Sequence, residues 1–345
     1  MLANLEHHGL PGGATSAEVT RLAPSPTGAL HLGNARTFLA NWAMARRSGW
    51  RIVMRIEDLD TTRTKPGAAA EILSTLRWLG IDWDLPGRGG AYVQSHDLEP
   101  YRAAMRRLAA GGGAYPCALT RTQVEQAVSA PQEGAHDVPF SRHLRPEPRE
   151  YDFDAVQGEA GPGGTNWRFA IPDRAPGVSF DAAFDDAIAG VQRLDLAQSV
   201  GDFVLWTKRD QPSYQLAVAV DDHRHGVTRV VRGDDLLDSA GRQLLLYRAL
   251  GMGPEPSYTH LPLVLGADGR RLAKRHGDTR VESYRALGVP AEALVGLIAF
   301  WGGLVNERRA VGSTEFIDLF DLSRLPRTPV HFTPEDDQWL RSFAR

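Results

Sequence analysis

Eleven residues near the start of the chain, Pro24-Ser25-Pro26-Thr27-Gly28-Ala29-Leu30-His31-Leu32-Gly33-Asn34, constrain the fold more than any other feature. They follow a short strand-like run, Val19 to Ala23. Two prolines and a glycine impose a turn, and His31 and Gly33 stand at the opening of a helix in which Ala35, Phe38, Leu39 and Trp42 recur at helical spacing. Ser48-Gly49 stops that helix. A second apolar run follows at once, Ile52 to Ile56, and delivers Glu57, Asp58 and Asp60 at its end. Strand, helix and strand in so short a span form a parallel βαβ unit, whose ligands bind beyond the carboxyl ends of the strands.

The turn reads as a phosphate site. Backbone N–H groups at the helix start and the positive end of its dipole attract phosphate, and a glycine lets the ligand approach the backbone closely. A distant segment, Arg271-Leu272-Ala273-Lys274-Arg275, adds positive charge. The chain has 39 basic residues, of which only Lys65, Lys208 and Lys274 are lysines, leaving 36 arginines (39 minus 3). A lysine inside a basic loop of such a chain suits a compact, strongly hydrated cation placed against phosphate oxygens. Together the two segments read as a split ATP site.

At 345 residues and 42% hydrophobic content the chain can bury a large core in two or three structural units. Its net charge of −3 excludes a globally basic nucleic-acid binder but not a local basic face. A single cysteine, Cys117, excludes a disulfide framework and fits a reducing cytoplasm. No apolar stretch has membrane-spanning length, and residues 1–16, with Gly9, Pro11, Gly12 and Gly13, read as a disordered extension rather than a signal peptide.

Helices are expected over Ala68 to Leu79 and Leu98 to Ala110, continuing the α/β pattern. From Tyr115 to about Asp186 Pro, Gly and charged residues dominate, with alternation only around Trp167 to Ile171 and a loose loop between Ser129 and Gly164. Strands are then expected at Tyr214 to Val220 and Val227 to Val231, a helix at Asp238 to Leu250, and helices after Val281 around the apolar centre Ala291 to Trp301. The expected fold is a Rossmann-like, doubly wound parallel sheet in halves 17–114 and 189–262. A mostly β insert occupies 115–188, and a helical region 263–345.

These motifs resemble the catalytic core of class I aminoacyl-tRNA synthetases of the glutamyl type, over roughly residues 17 to 300. His31-Leu32-Gly33-Asn34 corresponds to the first class I motif and Arg271 to Arg275 to the second. Glutamyl-type markers are Arg21 to Gly28, Arg55-Ile56-Glu57-Asp58-Leu59-Asp60, Tyr214-Gln215-Leu216-Ala217 and Val230-Val231-Arg232-Gly233. The resemblance implies ATP binding by Pro24, His31, Gly33, Asn34, Arg271, Lys274 and Arg275, with His31 and Lys274 catalytic and magnesium accompanying ATP. It implies a glutamate pocket of Arg21, Ala23, Ser25, Glu57, Tyr214 and Arg232. That set suits a substrate with two carboxylates and one ammonium, since guanidinium groups pair bidentately with carboxylates.

The chain stops at Arg345 with a short helical tail where ordinary glutamyl enzymes continue into an anticodon-binding domain. Val200 to Leu205, Tyr214 to His223 and Arg232 to Asp238 are similar to the short glutamyl-Q subgroup, and Val218 replaces a polar pocket residue of ordinary glutamyl enzymes. The subgroup implies glutamate transfer to queuosine in the anticodon of tRNA(Asp). A truncated tRNA(Glu)-charging enzyme and a glutamate-adenylating ligase with a small-molecule acceptor share the same first step. Short members often carry zinc on a Cys-x-Cys pair, which here falls on Cys117 and Leu119. Cys117 with His136 and His143 makes a poor tetrahedral set, so zinc is not expected. Asp221, Asp222, His223 and His225 are expected in a solvated turn. Candidate RNA contacts are Arg102, Arg106, Arg107, Arg142, Arg145, Arg149, Arg270, Arg271 and Arg275.

Overall fold

A computed structural model describes residues 17–87, 89–119, 123, 139–160, 164–266, 268–270, 272 and 279–344. Among them the strands are β1 (Val19–Leu22), β2 (Arg51–Ile56), β3 (Tyr92–Val93), β4 (Ala114–Cys117), β5 (Asn166–Phe169), β6 (Ala182–Asp186), β7 (Gly190–Leu194), β8 (Phe203–Thr207), β9 (Gln211–Pro212), β10 (Arg229–Gly233), β11 (Ser257–Leu261), β12 (Val264–Leu265) and β13 (Val330–His331). The central sheet has the order β3-β2-β1-β10-β11-β6-β7, parallel throughout except for the β6–β7 hairpin. Counting only β1, β2, β3, β10 and β11, the order is 3-2-1-4-5, that of a doubly wound sheet. Its crevice lies where the order reverses, between β1 and β10.

Helix α1 (Leu32–Ser48) connects β1 to β2, and Gly49 ends it in the left-handed conformation with φ +69°. Asn41 on this helix donates to the Arg21 carbonyl at 2.9 Å and accepts from the Thr20 hydroxyl at 2.9 Å, which fixes α1 on β1. Helices α2 (Ala68–Trp78) and α3 (Glu99–Ala110) follow. The largest apolar cluster joins α1 and β2 to the buried helix Ala291–Trp301 and the segments that follow it. A second cluster centres on Trp167, Phe169 and Trp206, in an antiparallel sheet ordered β4-β5-β8-β9. This sheet draws strands from both sides of position 188, whereas β6 and β7 belong to the central sheet.

One expected strand is a helix. Residues Tyr214–Arg224 form a helix capped by the Ser213 side chain, and Leu216 to Asp222 are all buried. A helix covered on every side shows no 3.6-residue alternation, so a short apolar run cannot be told from a buried strand. The expected turn at 221–223 is the end of this helix, and Asp221 and Asp222 are each 2% exposed. The expected extension 1–16 lies outside the described residues.

Candidate active site

The crevice between β1 and β10 opens as a cavity of about 160 Å³. Arg21, Ala23, Glu57, Tyr214 and Arg232 line it together with His31, Gly33 and Asn34 at the start of α1. The turn carries Pro24, whose carbonyl accepts the Glu57 N–H at 3.0 Å, so the first strand's exit is tied to the second's. Pro24 and Ser25 are not among the lining residues, and Ser25 is exposed on the turn. Tyr214, which alone would read as a packed strand aromatic, is 39% exposed at the first position of its helix.

The start of α1 suits an anion. His31 is its N-cap with extended backbone, no side chain caps the helix, and its first turn holds no acidic residue. Lys274, Arg271 and Arg275 lie outside the described residues, but their flanks are at the cavity. Leu272 is in its wall and donates its N–H to the Val264 carbonyl at 3.2 Å. Thr279 accepts from the Leu32 N–H at 3.1 Å, and His31 bridges to Arg280.

Behind the cavity lies a buried charge network that the sequence reading missed. Arg55, fully buried on β2, donates to Asp222 at 2.7 Å and to Glu57 at 3.0 Å. Asp222 also accepts from Arg21 Nε at 3.2 Å. Asp221 beside it accepts from Tyr101 at 2.7 Å and Gln94 at 2.9 Å. Burial would raise the Asp222 pKa, but Arg55 and Arg21 outweigh it and hold this carboxyl below its usual range. For Glu57 burial wins over Arg55 and Arg21, and its pKa is raised. A carboxylate short of charge compensation is one that an incoming ammonium would satisfy. The signal available was Asp221-Asp222 directly after the apolar run Leu216 to Val220, because such charges are almost never buried unpaired.

Across the cavity Arg232 is 4% exposed and is held by His260, Gln243 and the Leu236 carbonyl at 3.0, 2.9 and 3.1 Å. Buried Arg36 on α1 donates to the Pro262 carbonyl at 2.5 Å, and burial lowers its pKa to about 10.

Most of the expected RNA contacts are engaged within the chain. Arg102 pairs with Asp210, Arg106 with Glu99 and Asp154, Arg142 with Asp173 and Arg145 with Asp202. Arg107 donates to the Leu250 carbonyl, and Arg149 lies over the Tyr151 ring. No group of three or more His, Cys, Asp or Glu positioned for a metal occurs among the described residues. Cys117 is buried against Tyr115 and Phe140, His143 is exposed, and His136 is outside the described residues. Val218 is fully buried and does not reach the cavity. No helix among the described residues is long and apolar enough to cross a membrane.

The family profile described as "tRNA synthetases class I (E and Q), catalytic domain" matches residues 18–339. The chain belongs to this family of class I tRNA synthetases. It is an enzyme of the ligase type, and membership implies ATP as its activating substrate. The synthetase is 47% identical over 323 residues to a protein of Symbiobacterium thermophilum named glutamyl-Q tRNA(Asp) synthetase, covering 91% of this chain and 96% of that one. A protein of Rhodopirellula baltica with the same name is 42% identical over 335 residues, at the same coverage. The crystal structure of a glutamate tRNA ligase from Elizabethkingia meningosepticum in complex with its amino acid superposes with a TM-score of 0.75 at 28% identity. That match covers 94% of the synthetase and 68% of the ligase.

Proposed function

We propose that the chain activates L-glutamate with ATP as glutamyl-adenylate and transfers the glutamyl group to queuosine in the anticodon of tRNA(Asp). The observation that carries this reading is the convergence of Arg21, Arg232, Glu57 and Tyr214 on one cavity with the start of α1. Relatives named glutamyl-Q tRNA(Asp) synthetase at 47% and 42% identity support the choice of acceptor.

In the first step a carboxylate oxygen of glutamate attacks the α-phosphorus of ATP, the bond to the β-phosphate oxygen breaks, and pyrophosphate leaves with the electron pair. The nucleophile is already ionised near neutral pH, so no general base is needed. The protein's contribution is alignment and charge stabilisation. Arg21 and Arg232 would take carboxylate oxygens, Glu57 the ammonium, and Tyr214 a neutral hydrogen bond. His31, Gly33 and Asn34 would receive the phosphates at the helix start. Lys274 is two residues along the chain from Leu272 in the cavity wall, and would neutralise charge developing on pyrophosphate, with Arg271 and Arg275 beside it. Magnesium would accompany the triphosphate, and Asp235, a residue of the cavity wall, carries the kind of hard carboxylate oxygen that would hold this cation. It would supply Lewis-acid charge to the phosphates; the alignment would be the work of the side chains named. In the second step a queuosine hydroxyl oxygen bonds to the acyl carbon of the mixed anhydride, the bond from that carbon to the AMP oxygen breaks, AMP leaves with the electron pair, and the hydroxyl proton passes to the departing phosphate or to water.

The acceptor is tested by incubating the enzyme with ATP, labelled glutamate and tRNA(Asp) prepared with and without queuosine, beside tRNA(Glu). Label is expected on queuosine-containing tRNA(Asp) alone. Equal incorporation without queuosine, or charging of tRNA(Glu) instead, would defeat the assignment.

A further inference from the structure

The register of the central sheet sets Arg232 on β10 directly opposite His260 on β11, and Tyr258 of β11 opposite Asp186 on β6. Arg232 Nε donates to His260 Nε2 at 3.0 Å. A guanidinium has five N–H groups and cannot accept, so His260 Nε2 must carry a lone pair. The proton of the neutral ring is then on Nδ1, which faces Asp186 Oδ2 at 2.6 Å. Asp186 is itself fixed. Its Oδ1 accepts from the Ile188 and Ala189 N–H groups at 2.9 and 2.8 Å, and its two oxygens accept from the His260 N–H at 3.2 and 3.1 Å. Both side chains of the pair are fully buried.

We propose that Asp186 and His260 are positioning residues for substrate recognition: Asp186 selects the Nδ1–H tautomer of His260, whose bare Nε2 locks Arg232 in the cavity wall. The three bonds from Arg232 to His260, Gln243 and Leu236 leave two of its five N–H groups for a substrate carboxylate. This rests on the reading of the cavity as a glutamate site. Within it, carboxylate affinity depends on a ring that never touches the substrate, as second-sphere carboxylates orient histidines elsewhere.

The arrangement has one permitted protonation state. An imidazolium would aim an Nε2–H at the Arg232 Nε–H, donor against donor and charge against charge. The groups facing His260 are Asp186 and Phe184 on β6, Arg232 and the more distant Asp234 after β10, Arg21 on β1, and Tyr258 stacked at 5.7 Å on its own strand. Burial, opposed by the Asp186 hydrogen bond and aided by Arg232, keeps the ring's pKa below its ordinary value. The KM for glutamate is therefore expected to stay level above about pH 6.5, the ordinary histidine value. It should climb as pH falls through the depressed titration of His260.

Asp186→Asn tests the relay with no change of shape. Its amide oxygen must still serve the Ile188 and Ala189 N–H groups, which turns the amide NH₂ toward His260 Nδ1 and forces the proton to Nε2. In glutamate-dependent pyrophosphate exchange the variant is expected to raise the glutamate KM at least about tenfold, with kcat changed less than about threefold and the ATP KM unaltered, the pattern of lost uniform binding. A purely structural role would instead lower the amount of active enzyme, and so kcat. In the unmodified chain, ¹⁵N spectra of the His260 ring, assigned through Thr259, are expected to show protonated Nδ1 and bare Nε2. A proton on Nε2, or a variant glutamate KM within twofold of the unmodified value, would overturn the relay. Absence of any glutamate-dependent exchange in the unmodified chain would instead overturn the glutamate reading, and the tautomer, read without substrate, would still decide the relay.

Discussion

Arg21→Ala is expected to lower kcat/KM for glutamate in pyrophosphate exchange by about 30-fold to several thousand-fold, the equivalent of about 2–5 kcal/mol for truncating one member of a buried, hydrogen-bonded charge pair. Arg21 stands at the end of β1 with its Nε on Asp222, and it lines the cavity. Asp222 keeps Arg55 at 2.7 Å when Arg21 is removed, so the network retains a cation and the fold is expected to survive. The loss should fall on glutamate far more than on ATP, because the start of α1 is untouched. Arg21→Lys is not expected to restore activity, since an ammonium lacks the planar fork that reaches two acceptors at once. A variant whose glutamate kcat/KM is within threefold of the unmodified value would remove Arg21 from the pocket.

The second large effect is on stability. Arg55 is fully buried and compensates Asp222 and Glu57, with Asp221 at 3.9 Å. Arg55→Met retains the apolar volume of the stem and deletes the charge, and it is expected to cost about 3–5 kcal/mol, the usual penalty for leaving a buried carboxylate without its partner. Urea unfolding followed by circular dichroism measures it. Arg106→Met is the matched control, because Arg106 pairs with Glu99 and Asp154 at the surface, where water screens the interaction. Its midpoint should stay close to that of the unmodified chain. If Arg55→Met unfolded at the same urea concentration as the control, the network would not be what holds β2 against the helix Tyr214–Arg224.

The motifs proposed to bind phosphate and amino acid were legible because they obey local rules. A turn with two prolines before a helix, and charged side chains at the ends of apolar strands, place ligands without reference to distant residues. Glu57 could be picked out in this way, whereas Arg21 and Arg232 were assigned to the pocket by the family resemblance. Their partners could not, because Asp222, His260, Gln243 and Asp186 act through tertiary contacts that bring together residues 11 to 201 positions apart. The helix Tyr214–Arg224 was misread for a related reason. Its burial on all faces erased the periodicity that identifies a helix, and with it the meaning of Asp221 and Asp222. The antiparallel sheet was legible in part: β4 and β5, joined across 48 intervening residues, fall where a β insert was expected, but β8 lies beyond that span.

The central claim is that one crevice, between β1 and β10, takes the amino acid and the nucleotide together. A crystal structure with a non-hydrolysable glutamyl-adenylate analogue measures this directly. The ligand's side-chain carboxylate and its acyl carbonyl are expected within hydrogen-bond distance of Arg21 and Arg232, its ammonium on Glu57, and its phosphate at His31 and the start of α1. An analogue bound elsewhere, or one whose ammonium faces Arg21 and whose phosphate lies away from α1, would contradict that claim.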